Sequence, residues 1–239
     1  MRRVTGRRLL AAALAGLFAA GPAAAAQRTY IVTDYDTLRL EAPIAVSVQT
    51  GRGVAARGEG DPDMLDRVDL DVSAHVLTIR LKPSPFEGSR RAGGGMVHLV
   101  LTVPALRRIS VSGAGTLQAT GMDRAGGEIV AAGSGAVSVN GIASDRLSVS
   151  QFGAGTVKLA GRAQSVRLRV TGSGTLDAKA LQAADLDATL EGSANLEAQA
   201  SRAATLVAVG AGNATVTGRA ACTVRQAGSG IVRCGNQTY

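Results

Sequence analysis

The feature that most constrains the fold is a short glycine motif that recurs along the second half of the chain. Seven triplets of small residues begin with glycine, and their first residues follow one another at intervals of 18 to 20 positions. A constant period of this length indicates stacked structural repeats, because one such unit is too small to bury an apolar face alone. The glycines of the triplets are Gly113, Gly115, Gly133, Gly135, Gly153, Gly155, Gly172, Gly174, Gly192, Gly210, Gly212, Gly228 and Gly230.

The residues on either side of each triplet alternate between apolar and polar. Positions four before, four after and six after the first glycine are apolar in every repeat, whereas positions five before and five after are mainly polar. Side chains alternate across a β-strand, so the first set is predicted to face inward and the second to face water. The prediction is an all-β fold, a right-handed parallel β-helix of about seven coils of 18–20 residues over residues 104–239. The triplets are predicted to form its corners, where glycine accepts a positive φ.

Residues 27–103 lack the triplets but still have the alternation of β-strands, over 35–48, 68–81 and 96–103. Asp61-Pro62-Asp63 predicts a turn, and residues 82–95 predict a loop rich in proline and glycine that carries Arg90-Arg91. Atypical terminal units commonly cap a solenoid. We therefore predict a single domain over residues 27–239, in which 27–103 is an N-terminal capping β segment.

Residues 1–26 have the pattern of a secretory signal peptide. Four arginines precede an apolar stretch over residues 9–20, and Ala24-Ala25-Ala26 offers a cleavage site before Gln27. An uncleaved membrane anchor is the alternative, whereas no apolar run beyond residue 26 is long enough to cross a bilayer. The prediction is an exported protein that is periplasmic, extracellular or associated with the outer membrane. The pattern leaves open whether the Sec or the twin-arginine route exports it.

Charge and composition exclude several classes of function. The formal charge of the whole chain is +8, but the chain without its first 26 residues has 22 basic and 18 acidic residues. A charge this small and dispersed argues against a nucleic-acid partner. Only two His and two Cys are present, which excludes a His-rich or Cys-rich metal site. No nucleotide-binding glycine motif occurs, and we predict no cofactor.

The two cysteines are placed symmetrically about one corner. Cys222 lies six residues before Gly228 and Cys234 lies six after it, both at positions predicted to face inward. Disulfides form in exported proteins, so a Cys222–Cys234 disulfide is predicted. The alternative is a pair of reduced, buried thiols that act as small apolar residues.

Two groups of acidic residues have the chemistry for catalysis or for calcium binding. Asp177 and Glu197 occupy the same outward position in neighbouring repeats, where two carboxylates could serve a glycosidase. The favoured interpretation is a solvated ladder of opposite charges, because Lys158 occupies the same position one repeat earlier. A second group could in principle hold calcium, although its last two members fit the wet face of a strand. That group is Asp61, Asp63, Asp66, Asp69 and Asp71. We predict no catalytic residue and no metal site.

Five short motifs, in order, carry a resemblance to a known family. They are YDTLRL at 35–40, IAVSV at 44–48, GDPDML at 60–65, LTIR at 77–80, and VPALRRISVSGAG at 103–115. Their order resembles the bacterial family described as putative auto-transporter adhesin, head GIN domain, and also as a domain of unknown function. The resemblance covers residues 30–235. It implies a β-helical protein that is secreted or associated with the cell envelope, and it implies no catalytic residues.

These observations predict a non-catalytic exported protein, an adhesin-like binding module or a structural module that presents a β-helical surface. The expected partner is an envelope or extracellular protein or a glycan, and both its identity and the oligomeric state stay open. The alternative is a carbohydrate-active enzyme, either a polysaccharide lyase or a glycosidase, that uses the face around Asp177 and Glu197.

Overall fold

A computed structural model of the protein describes residues 26–83 and 96–239. The predicted signal peptide, apart from Ala26, and the part of the predicted loop that contains Arg90-Arg91 lie outside the described residues. The described residues form eighteen β-strands, all joined in one sheet, and a single short helix. The sheet coils into an all-β solenoid of about six turns, preceded by an N-terminal segment of mixed parallel and antiparallel pairing.

The N-terminal segment extends the sheet of the solenoid. Its elements are β1 Ala26–Tyr30, β2 Thr37–Leu40, β3 Ala45–Thr50, β4 Ala55–Gly60, α1 Pro62–Arg67, β5 Val68–Ser73, β6 Val76–Leu81 and β7 Val97–Val103. The β2–β6 and β3–β7 pairs are parallel, whereas β1–β4, β4–β7 and β5–β6 are antiparallel. The predicted alternating stretches contain β2, β3, β5, β6 and β7, and the structure adds β1 and β4 to them.

Helix α1 occupies the place where the sequence predicts only a turn. Asp61 caps the helix, because its carboxylate accepts a hydrogen bond of 3.0 Å from the backbone N–H of Met64. Pro62 follows at the first helical position, where its missing N–H has no cost. The turn signal is therefore the start of a six-residue helix that buries Leu65 against the sheet.

The solenoid is built from parallel strands that stack turn upon turn. They are β8 Arg108–Gly113, β9 Thr116–Thr120, β10 Gly127–Gly133, β11 Ala136–Gly153, β12 Thr156–Gly172, β13 Thr175–Gly192, β14 Asn195–Gly210, β15 Asn213–Thr217, β16 Ala221–Ala227 and β17 Val232–Cys234. The hairpin strand β18 Gln237–Thr238 then folds back antiparallel onto β17. The structure has about six turns rather than seven, because the seventh triplet lies in a last, incomplete turn.

Equivalent positions of successive turns lie side by side, which makes the predicted inward columns continuous. In the β12–β13 pair, for example, Val157 is opposite Leu176 and Leu168 is opposite Ala188. All members of the three predicted columns are buried except Val224, which is half-buried because β16 pairs with β14 alone. The result is a thin core of alanine, valine and leucine, as the near absence of aromatic residues from the repeats requires.

The two glycines of a corner are needed for different reasons. The first glycine of each triplet has a positive φ, which at Gly172 is +122°. The third residue does not, but a Cβ on Gly155 would lie 2.6 Å from the carbonyl oxygen of Gly135 in the preceding turn. The backbones of adjacent turns thus approach closely at the corners, which favours glycine there, although Ala194 occupies the third position of the fifth triplet.

One polar side chain interrupts the inward face beside a corner. Gln151 is fully buried two residues before Gly153, where the equivalent residues of other turns include Val170 and Leu190. Its Nε2 donates a 2.5 Å hydrogen bond to the carbonyl oxygen of Gly155, whereas its Oε1 has no partner among the described residues. The Gly155 oxygen also accepts a hydrogen bond of 3.0 Å from the N–H of Thr175. The carbonyl is therefore satisfied without the glutamine.

Replacing Gln151 by leucine is expected to leave stability unchanged or to raise it by about 1 kcal/mol, because the substitution removes a buried oxygen that lacks a partner. Leu190 shows that the fold accepts leucine at the equivalent position. Chemical denaturation of the variant and the parent protein measures the difference. A loss of more than about 2 kcal/mol would contradict the prediction and would mean that the bond to Gly155 holds the corner together.

Candidate binding surface

The predicted carboxylate pair is part of an ion-pair ladder on the outer surface. Asp177 and Glu197 are opposite each other in the β13–β14 register, as the repeat spacing predicts. The Lys179 ammonium lies 2.5 Å from a Glu197 oxygen and 3.8 Å from an Asp177 oxygen. The hydrogen bond to Glu197 is the main cause that raises the pKa of Lys179. A glycosidase acid and its partner must face a sugar between them, whereas here an ammonium group contacts both carboxylates.

Other outward charges are neutralised in the same way between adjacent turns. Arg108 contacts Glu128 at 2.6 Å, and the guanidinium of Arg202 makes a two-bond contact with the carboxylate of Asp185. The hydrogen bond from Arg202 is the main cause that lowers the pKa of Asp185. Such exposed pairs contribute only about 0.2–1 kcal/mol each. They therefore add little to the stability of the fold.

Three of the five acids considered for calcium have other partners. Asp61 caps α1, Asp66 contacts Arg28, and Asp69 contacts Lys82 at 3.2 Å. Within residues 26–83 and 96–239, no three His, Cys, Asp or Glu side chains are grouped so that they could hold a metal ion.

The two cysteines close the last turn. Cys222 in β16 and Cys234 in β17 are joined by a disulfide, with their Cα atoms 6.2 Å apart. This separation is within the range that bonded cysteines allow. The bridge connects the strand before the Gly228 corner with the strand after it, where no further turn follows to pack on β16.

The surface also carries a groove that the sequence analysis did not identify. It is an open depression of about 630 Å³ across β2, β8, β10, β11 and β12. We call it the arginine groove and define it by its four arginines and the two glycines of its floor, namely Arg107, Arg108, Arg146, Arg167, Gly126 and Gly127.

The groove lies over a turn that has glycine at two successive lining positions. Gly126 contributes no side chain to the depression, whereas Gly127 is buried, and a Cβ there would lie 2.9 Å from the Met122 side chain. In the strand register, Arg107 and Arg146 belong to the turns on either side of this glycine pair. The sequence signal is the Gly126-Gly127 pair, at the positions that Arg146 and Leu147 occupy in the next turn.

The charges in the groove are only partly neutralised. Arg107 lies 3.5 Å from a carboxylate oxygen of Asp123, and Arg167 lies 3.6 Å from a carboxylate oxygen of Asp187. Arg146 makes no ion pair and no side-chain hydrogen bond with the residues that the structure describes. Asp36, Glu128, Asp123 and Asp187 equal the four arginines in number, and Arg146 is the guanidinium with no carboxylate in contact among the described residues.

A second open depression, of about 560 Å³, lies across β11, β12, β13 and β14. Its lining includes Arg124, Asp145 and Arg162, and Arg162 donates a 3.0 Å hydrogen bond to the side chain of Gln182. Its lining has fewer charged groups than that of the arginine groove.

The solenoid resembles known proteins. A family model described as putative auto-transporter adhesin, head GIN domain, matches residues 34–220. The chain belongs to the head GIN domain family. No curated protein shows significant similarity to it.

Solved structures share the fold of this head GIN domain at low sequence identity. A putative adhesin from Bacteroides fragilis has a TM-score of 0.78 and 21% identity, over 89% of this chain and 97% of that one. A putative lipid binding protein from Parabacteroides distasonis has a TM-score of 0.66 and 20% identity, over 89% and 97%. A putative adhesin from the same species has a TM-score of 0.61 and 17% identity, over 87% and 96%.

The one helix of the head GIN domain in the described ranges has six residues, and no helix there is long and apolar enough to cross a membrane.

Proposed function

We propose that this head GIN domain is a non-catalytic module of the cell envelope, which binds a glycan or protein or serves a structural role. The observation that carries the proposal is the Lys179 ammonium group in contact with both Asp177 and Glu197. The carboxylate pair that made an enzyme conceivable is thereby engaged in an ion-pair ladder. What the molecule offers instead is a long, rigid, polar surface with open grooves.

Family membership and the disulfide indicate an exported protein. We propose the periplasm or the outer surface of the cell as its location, and the signal-peptide pattern of residues 1–26 supports this. Fractionation of the producing cells, with detection of the protein in each fraction, tests the location. Recovery of the protein in the cytoplasm would contradict it.

The names of similar proteins support binding rather than catalysis. Two of the solved structures named above are described as putative adhesins and one as a putative lipid binding protein. The two surface depressions described above are lined by charged and polar groups, including Arg108 and Asp145, which favours a polar partner over a lipid chain.

A binding screen of residues 27–239 against glycans, envelope proteins and lipid vesicles tests the proposal. Retention of a defined glycan or protein, with no product formed from it, is the expected result. Turnover of a polysaccharide that is abolished by Asp177→Asn with Glu197→Gln would establish the enzyme alternative instead. Asp187→Asn with Glu191→Gln is the matched control, because it removes two outward acids from a different face of the same strand.

A further inference from the structure

The arginine groove contains one guanidinium that the protein itself does not use. Arg146 is exposed and has no acidic partner among the described residues, whereas Arg107, Arg108 and Arg167 each contact a carboxylate. Arginine presents a planar set of N–H donors that matches a carboxylate or phosphate group. An exposed guanidinium without a carboxylate partner, in an open depression, is therefore suited to an anionic group of a ligand.

We propose that the arginine groove binds an acidic oligosaccharide, with Arg146 as the residue that contacts its anionic groups. The proposal rests on the binding function proposed above and names the class of ligand and its site. It requires the groove to be long enough for several sugar rings and to offer polar contacts between the charged ones.

The length of the groove fits an extended ligand rather than a single small anion. It crosses five neighbouring strands, from β2 to β12, and four inter-strand spacings correspond to about 19 Å. The hydroxyl groups of Thr37, Ser148 and Ser165 line it together with the arginines. Hydroxyl side chains can donate to and accept from sugar hydroxyls. The lining contains no aromatic residue, which single-stranded nucleic acids require for base stacking.

Gly126 leaves space in the groove, and a larger residue at this position tests the proposal. A Cβ added to Gly126 would come no closer than 3.6 Å to any non-neighbouring atom, the nearest being the carbonyl oxygen of Arg146. The φ of Gly126 is not in the left-handed region, so a larger residue causes no backbone strain. Gly126→Leu therefore fills the depression without disturbing the solenoid, in contrast to substitution at a corner glycine.

The experiment uses residues 27–239 and a fluorescent oligogalacturonate, whose rings each carry a carboxylate. We expect saturable binding that weakens with added salt. Arg146→Gln should raise the Kd about tenfold or more, the effect of losing one charged hydrogen bond. Gly126→Leu should also raise the Kd about tenfold or more, because the leucine side chain fills the depression. Arg225→Gln is the matched control, because Arg225 is also exposed, lacks an ion pair among the described residues and lies outside the groove. It should leave the Kd unchanged.

Three results of the direct binding assay would overturn the proposal. They are equal loss of binding in the Arg225→Gln control, unchanged binding in both groove variants, and equal binding of neutral dextran. Competition by phosphatidylglycerol vesicles as strong as by unlabelled oligogalacturonate would assign the groove to a lipid headgroup and also overturn it. If the binding screen described above still retains a ligand, these outcomes leave the proposed module function intact. A screen that retains no ligand contradicts the proposed function itself. Unchanged thermal melting of Gly126→Leu shows that the variant is folded.

Discussion

Replacing Gly172 by valine is expected to lower the free energy of unfolding by about 3 kcal/mol or more. The φ of Gly172 is +122°, where a residue with a side chain is strained by about 1–3 kcal/mol. In addition, a Cβ would lie 2.6 Å from the carbonyl oxygen and 3.0 Å from the nitrogen of Gly153 in the preceding turn. Both atoms belong to a hydrogen-bonded backbone that cannot move aside, so overpacking adds about 1–3 kcal/mol. Chemical denaturation measures the loss.

A pair of alanine substitutions separates strain from crowding. Gly113 also has a positive φ, +89°, but a Cβ there would meet nothing within 4 Å. Gly113→Ala should therefore show the strain alone, and Gly172→Ala should be more destabilising. Asp177→Asn, on the outer surface, should change stability by no more than about 0.5 kcal/mol. Equal losses in Gly172→Val and Asp177→Asn would show that the corners do not limit the fold.

Removal of the Cys222–Cys234 bridge is expected to destabilise the last turn by about 3 kcal/mol. The sequence separation is 12 residues, and a closed loop of this size reduces the entropy of the unfolded chain by that amount. The effect should be concentrated in β16–β18, since β16 has a neighbouring strand on one side only. Hydrogen exchange of the double alanine variant should show faster exchange in these strands and little change in β11–β13.

Alanine is the appropriate replacement at both cysteines, because the core already contains Ala204 and Ala198 at the equivalent positions of the preceding turns. The parent protein treated with reductant should match the double variant, and the double variant should not respond to reductant. Intact mass of the exported protein before and after reduction provides the second check. Two free thiols in protein recovered from its exported location would contradict the bridge.

Much of the solenoid could be predicted because its information is local and repeated. The columns through Ile109, Leu117 and Ala119 recur in each turn, and the structure buries their counterparts except Val224. The prediction of seven coils exceeded the observed number of about six, because a triplet signals a corner but not a completed turn. Helix α1 was missed because six residues are too few to show a helical period, although its cap, Asp61, and Pro62 were recognised as a change of direction.

The arginine groove was harder to predict, since it depends on residues that are adjacent only after the chain has coiled. Arg108 and Arg167 are far apart in sequence, yet they line one depression that crosses five neighbouring strands. The outward acids Asp177 and Glu197 belong to single repeats and are visible in each of them. The groove depends on residues of five neighbouring strands and on the missing side chain of Gly126, which no single repeat reveals.

The sequence by itself determined the class of fold, the inward columns and the corners, because strand alternation and a period of 18–20 residues act within and between neighbouring turns. Only the tertiary structure decided how the outward charges are shared. It brought Lys179 to Asp177 and Glu197, and it left Arg146 without an acidic partner among the described residues. The physical reason is that exposed side chains are flexible and their ion pairs are weak, so their partners follow from the stacking of the backbone and not from local sequence.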